Sequence, residues 1–167
     1  MIILVNVVLE TTKGNIEIEL FEGRSPITVQ NFLAYVKEGH FNGTIFHRVI
    51  SNFMIQGGGY TFDGKEKKVS RKPIMLESKN GVKNDKYTIA MARTDQPNSA
   101  TAQFFINVTS NSSLNYSPSN PGYAAFGEVV SGKEVVDEIK KVKTKRNGMH
   151  DDWPVEAVVI NKAYLKV

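Results

Sequence analysis

Two short segments with a period of two restrict the fold more than any other feature of this chain. In Gln103-Phe104-Phe105-Ile106-Asn107-Val108, strand alternation sends Phe104, Ile106 and Val108 one way and Gln103, Phe105 and Asn107 the other. In Phe46-His47-Arg48-Val49-Ile50 the same rule groups Phe46, Arg48 and Ile50, and in Phe53-Met54-Ile55-Gln56 it groups Met54 with Gln56. Each segment thus has one face that sets a large polar group beside an apolar anchor. A pure core strand would not carry an arginine and two glutamines, because buried polar groups without partners are costly. The mixture suits an apolar hollow with a few donors, built for an uncharged and partly hydrophobic ligand.

The rest of the chain supplies the frame. Ile3 to Leu20 reads as two strands joined by a turn at Thr12-Lys13-Gly14-Asn15, with Ile16, Ile18 and Leu20 on the buried side. Ser25 is the expected N-cap of a helix with Pro26 at its first position, Val29, Phe32, Leu33 and Val36 as its apolar stripe, and Gly39 at its end. Asn42-Gly43 marks a turn, and Tyr87 to Met91 and Ala124 to Val130 read as strands. Ser131-Gly132 precedes a second helix with Val135, Val136, Ile139 and Val142 on one side. Lys143 to Met149 reads as a basic loop, and Ala157 to Leu165 as the last strand. The count is about eight strands and two helices, without βαβ alternation or repeats, which points to an all-β sandwich or closed barrel. The interior of an eight-stranded barrel is filled by its own side chains, so a ligand must sit outside, on the face that carries Gln103 and Phe105.

Composition removes most chemistries. The chain has 167 residues, enough for a single domain spanning 1–167. Its net charge of +4 falls short of a nucleic-acid signature, and the lysine-rich stretch from Asp63 to Lys72 reads as a solvated loop. With no cysteine, thiol nucleophiles, thiolate metal sites and disulfides are excluded. The histidines His40, His47 and His150 lack metal-ligand spacing, and no Gly-x-Ser-x-Gly elbow is present. Gly57-Gly58-Gly59 lacks the Gly-Lys-Ser/Thr ending of a phosphate loop, leaving a backbone bend as its expected role. No metal or cofactor is expected. Met1 to Val5 lacks the charged flank of a signal peptide, and no apolar run spans a membrane. The cytoplasm is therefore the default compartment, with the periplasm open if a leader has been removed.

One reaction needs only a fixed donor, amide side chains and an apolar hole. Rotation about an X–Pro bond is held back by amide resonance, with a barrier of ~18–20 kcal/mol. Twisting the bond localises a lone pair on the prolyl nitrogen, and an arginine that hydrogen-bonds this nitrogen favours the twisted state over the planar one. No proton transfer or covalent intermediate is needed. A binding module for proline peptides, or a holding chaperone without turnover, would use the same surface.

Phe46-His47-Arg48-Val49-Ile50, Phe53-Met54-Ile55-Gln56-Gly57-Gly58, Met91-Ala92-Arg93 and Gln103-Phe104-Phe105-Ile106-Asn107 resemble the signature of the cyclophilins, peptidyl-prolyl isomerases that assist protein folding. The similarity runs from about Val8 to the C-terminus and is greatest to the small bacterial members. It implies a closed eight-stranded antiparallel β-barrel capped by two α-helices. It also implies that Arg48 is catalytic, that Phe53, Met54, Phe105 and Leu114 form the proline pocket, and that Gln56, Ala92, Arg93 and Gln103 line the peptide groove. Tyr123 stands where many eukaryotic members carry a pocket histidine, and Ser113 where they carry a tryptophan, and loss of that indole wall and donor at Ser113 counts against binding of cyclosporin. Proline-containing peptides and folding proteins are the implied partners, with no nucleic acid, no membrane and a monomeric state.

Overall fold

The computed structural model describes residues 4–167. The expected start of the first strand at Ile3 lies outside the described residues. A hairpin opens the chain, β1 (Val5–Thr11) against β2 (Gly14–Leu20), with Ile16, Ile18 and Leu20 buried as the alternation requires. Helix α1 (Pro26–Lys37) follows, then β3 (Arg48–Ile50), β4 (Met54–Gly57), β5 (Thr88–Met91), β6 (Phe104–Asn107) and β7 (Ala125–Ser131). Helix α2 (Lys133–Lys140), a hairpin of β8 (Thr144–Asn147) and β9 (His150–Pro154), and β10 (Ile160–Lys166) complete the described chain.

Eight strands form one antiparallel sheet in the order β10-β1-β2-β7-β5-β6-β4-β3, strongly curled around the core. Full closure, as expected from the sequence, overstates it. The end strands β10 and β3 share no ladder. The gap is spanned by an isolated bridge, Ile45 to Val159, with Phe46 N–H donating to the Val158 carbonyl at 3.0 Å. The result is a half-barrel whose open seam is laced rather than paired.

Aromatic side chains fill the inside. Phe104 on β6 meets Phe32 of α1 at 5.8 Å, Phe41 at 5.4 Å and Phe46 at 5.9 Å between ring centroids, each nearly edge-on. These rings are fully buried together with Ile106 and Phe126, so the interior has no room for a ligand. Phe105 faces away from this core into a separate cluster, as the alternation predicts.

Helix α1 buries Val29, Phe32, Leu33 and Val36 on its predicted stripe, and Gly39 at φ +76° ends it. Its cap differs from expectation. Ser25 occupies the N-cap position, but its hydroxyl donates to the Ala125 carbonyl on β7 instead of to its own helix. The first turn is capped from afar by Glu77, whose carboxylate accepts from Thr28 N–H at 2.7 Å and Ile27 N–H at 3.2 Å. An anion here meets the positive end of the helix dipole and satisfies two free donors at once.

The basic stretch after α2 also departs from the sequence reading. It is not a loop, because Thr144–Asn147 pairs with His150–Pro154 around a turn at Gly148, φ +61°. Thr144, Lys145 and Arg146 are exposed, so β8 carries no apolar alternation to betray it. β9 supplies the anchor instead, through buried Trp153.

Candidate active site

Cross-strand register builds the site on the outer face of the sheet. Arg48 of β3 pairs with Gln56 of β4, Gln56 pairs with Phe105 of β6, and Phe105 pairs with Ala90 of β5, so four side chains stand in one row. Ile50 pairs with Met54 in the next outward row. Met54, Phe105, Ala90 and Ala125 form a second apolar cluster, separate from the barrel core, with Phe53, Ala92, Leu114 and Tyr123 packed at its edge.

A cavity of about 670 Å³ opens over this cluster. Every residue assigned to the site from the sequence lines it: Arg48, Phe53, Met54, Gln56, Ala92, Arg93, Gln103, Phe105, Leu114 and Tyr123. Phe46 does not share the face of Arg48. It lies in the core, because the chain enters β3 only at Arg48 and strand alternation does not extend back through His47. Ser113 is exposed and forms no part of the cavity wall.

Polar side chains bridge the rim. The exposed Arg48 donates a long hydrogen bond, 3.4 Å, from Nη1 to Gln56 Oε1, and Gln56 Nε2 donates to Gln103 Oε1 at 2.9 Å. The glycine run makes this possible. A Cβ on Gly59 would stand 2.5 Å from the Gln103 amide carbon, so the bare backbone lets that amide lie flat against it. Only Gly58, at φ +88°, serves the bend expected of all three. Arg93 is tied down elsewhere, donating from Nη2 to the Gly122 carbonyl at 2.6 Å and stacking 4.4 Å from the Tyr123 ring centroid.

A network of asparagines holds the far wall, and the sequence reading assigned it no role. Buried Asn84 donates from Nδ2 to the carbonyls of Leu114, at 3.1 Å, and Tyr123, at 3.2 Å. Its Oδ1 accepts from Asn107 Nδ2, while Asn111 Nδ2 donates to Asn107 Oδ1 at 2.7 Å and to the Phe53 carbonyl at 2.8 Å. Two segments that carry apolar wall residues, the β3–β4 turn with Phe53 and the β6–β7 connection with Leu114 and Tyr123, are thereby tied to β6. The buried amides of Asn84 and Asn107 thus have multiple partners, as buried polar groups require.

Also missed were Tyr60, Met149, His150, Asp151 and Asp152, which line the same cavity from the β8–β9 hairpin and the segment after the glycines. No local pattern could reveal them, since β9 reaches the site by packing beside β3. Tyr60, His150 and Trp153 form an aromatic group with His47, at ring separations from 4.6 to 6.1 Å.

His47, the residue before Arg48, is only 4 % exposed. Burial pushes its pKa down to about 4, and charge on His150 and Arg48 acts in the same direction. The imidazole is thus neutral near pH 7, which leaves Arg48 as the cation at that spot. A folded pKa below the unfolded value of about 6.5 means that the unfolded chain binds the proton first. The stability this group permits is therefore full above about pH 6.5 and falls as pH drops toward about 4, by about 3 kcal/mol in all. Urea unfolding at about pH 7 and pH 4.5 tests this, because His47→Gln should lose distinctly less stability between them than the parent protein. Equal losses would show that the imidazole is not held neutral.

The family described as cyclophilin type peptidyl-prolyl cis-trans isomerase/CLD matches residues 6–165. Peptidyl-prolyl cis-trans isomerase cyp18 of Streptomyces antibioticus is 56% identical over 158 residues, which cover 93% of this chain and 95% of the relative. Peptidyl-prolyl cis-trans isomerase B of Escherichia coli K12 is 53% identical over 157 residues, covering 92% and 95%. Among solved structures, a Cryptosporidium parvum cyclophilin type isomerase is similar at a TM-score of 0.81 and 26% identity, covering 99% of each chain. The same parasite protein in the presence of the dipeptide Ala-Pro gives 0.80, covering 97% of this chain and 99% of that one.

Proposed function

This chain belongs to the cyclophilin-type peptidyl-prolyl cis–trans isomerases, and we propose that it turns X–Pro bonds by donating a hydrogen bond from Arg48 to the prolyl nitrogen as the bond twists. One observation carries the assignment: an exposed guanidinium on β3 stands at the rim of an apolar hollow that holds Phe53, Met54, Phe105 and Leu114.

The chemistry follows from the bond itself. In the planar imide the nitrogen lone pair is delocalised and accepts poorly. At the half-turned geometry it is pyramidal and basic, so a donor fixed beside it gains strength only there. Among the described residues Arg48 makes one hydrogen bond, a long one to Gln56, which leaves four guanidinium N–H groups for a ligand. The pyrrolidine ring fits the apolar floor, where Met54 and Phe105 are almost fully buried and therefore rigid. Gln56 and Gln103, locked to one another, offer amide groups to the peptide backbone on one side, with Ala92 and Arg93 beside them. The rotation proceeds without a covalent intermediate, and buried His47, neutral near pH 7, carries no imidazolium charge there to act as a general acid.

The substrates are proline-containing peptides, a reading supported by the Ala-Pro dipeptide used with the parasite relative. Residues 1–167 act as one isomerase domain. Exchange NMR on a short proline peptide tests the mechanism, with faster cis–trans interchange expected at catalytic protein concentration and no mass adduct on the protein. A protein that bound the peptide yet left the interchange at its spontaneous rate would overturn it.

A further inference from the structure

The cavity extends beyond Arg48. Past β3 its wall continues onto the β8–β9 hairpin, where the character of the lining changes from apolar and cationic to aromatic and acidic. We propose that this hairpin wall is a subsite that selects a lysine or arginine close to the substrate proline, with Asp152 receiving the cation. The inference rests on the reading that the peptide lies across Arg48, and it adds a substrate preference to that reading.

Asp152 is placed for this by an irregularity in the hairpin. Lys145 pairs with Trp153 and Asn147 with His150, so Arg146 alone stands opposite both Asp151 and Asp152. The extra residue is accommodated by Asp152 at φ +63°, a left-handed conformation that aspartate tolerates better than most side chains. Such bulges redirect a side chain out of the ladder, and this one lies at the edge of the cavity.

The two carboxylates are not equivalent. Asp151 is met by Arg146, with Nε 3.7 Å from Oδ1. Asp152 has no hydrogen-bond or ion-pair partner among the described residues, although it is half-buried and lines the cavity. Neither arginine that shares the cavity is paired with a carboxylate among the described residues: Arg48 makes one long hydrogen bond to Gln56, and Arg93 is held by Gly122 and Tyr123. A carboxylate in this position repels an acidic substrate residue and leaves an apolar one without benefit.

The surroundings fit a long side chain that ends in a charge. Tyr60 lines the cavity and is packed edge-on against His150 at 4.9 Å and Trp153 at 5.8 Å, which makes it a stiff platform. Met149, at the hairpin tip, is 93% exposed and offers an unbranched thioether at the mouth. The alkyl stem of lysine or arginine can cover these groups while its head reaches Asp152, with the tyrosine ring face adding to the attraction.

The test compares proline peptides that differ only in Lys, Ala or Glu at the second position on either side of the proline, with interchange followed by exchange NMR. At low ionic strength, kcat/KM should favour Lys over Glu by about three- to tenfold for the side that faces the hairpin, the range of one partly sheltered ion pair. In about 0.5 M salt the ratio should fall toward one. In Asp152→Asn, a residue that also accepts the left-handed conformation, the ratio should fall below about twofold, with Tm showing that the fold is kept. Equal rates for Lys and Glu peptides in the parent protein would overturn the proposal, as would a preference that survives both salt and Asp152→Asn. If no peptide were accelerated, the isomerase reading of the cavity would fall, and the subsite with it.

Discussion

Replacing Arg48 with alanine should lower kcat/KM for a proline peptide by about 10²–10³, the scale of losing one preorganised donor. The loss should appear mainly in kcat, because the prolyl nitrogen becomes an acceptor only in the twisted state and the planar ground state owes Arg48 little. Stability should hardly move. The side chain is exposed, pairs with no carboxylate among the described residues, and makes one long hydrogen bond, so its removal leaves no buried group stranded. Arg48→Lys should recover only part of the rate, since an ammonium keeps the charge but not the rigid fork of donors. Exchange NMR for the rate and a thermal melt for Tm separate the cases. A parallel fall in both would make Arg48 a structural residue and remove the basis of the mechanism.

The parts of this site that lie on strands were legible because strand geometry converts sequence parity into a face. Gln103 and Phe105 point out, Phe104 and Ile106 point in, and the register then sets Gln56 beside Phe105. Parity fails as soon as the backbone leaves the strand. Phe46 was grouped with Arg48, yet its ring lies in the core because the alternation does not run through His47. The hairpin that completes the cavity was invisible for a related reason. Its β8 strand has no buried face, and the aspartate that matters owes its direction to a left-handed residue, which no periodicity encodes. Capping shows the same limit. Ser25 has the right residue type at the right place, but a carboxylate fifty-two positions later, Glu77, offers the helix a stronger, charged acceptor and frees the hydroxyl for β7.

The asparagine network makes the second large prediction, because it joins stability to substrate grip. Asn84→Ala removes the donor to the carbonyls of Leu114 and Tyr123 and the acceptor of Asn107, all at a position 1% exposed. Stranding buried polar groups costs about 1–3 kcal/mol for each unsatisfied group, partly recovered where the site can admit water. A net loss of about 2–4 kcal/mol follows, seen as a fall in Tm of roughly 5–12 °C at this chain length. The catalytic effect should be of a different kind from that of Arg48→Ala. Arg48 sits on β3 and keeps its place through Gln56, whereas Leu114 and Tyr123 ride on the loop that Asn84 ties down. KM should therefore rise, by about three- to tenfold, with kcat changing less, because the ring hollow loosens while the donor stays where it is. Asn84→Asp separates the two sides of the amide, since it keeps the acceptor for Asn107 but faces the Leu114 and Tyr123 carbonyls with an anion. It should disturb KM at least as much as alanine does. If either variant lost stability with KM unchanged, the hollow would be held by the packing of Phe105 against Tyr123, at 5.6 Å between ring centroids, rather than by the amides behind it.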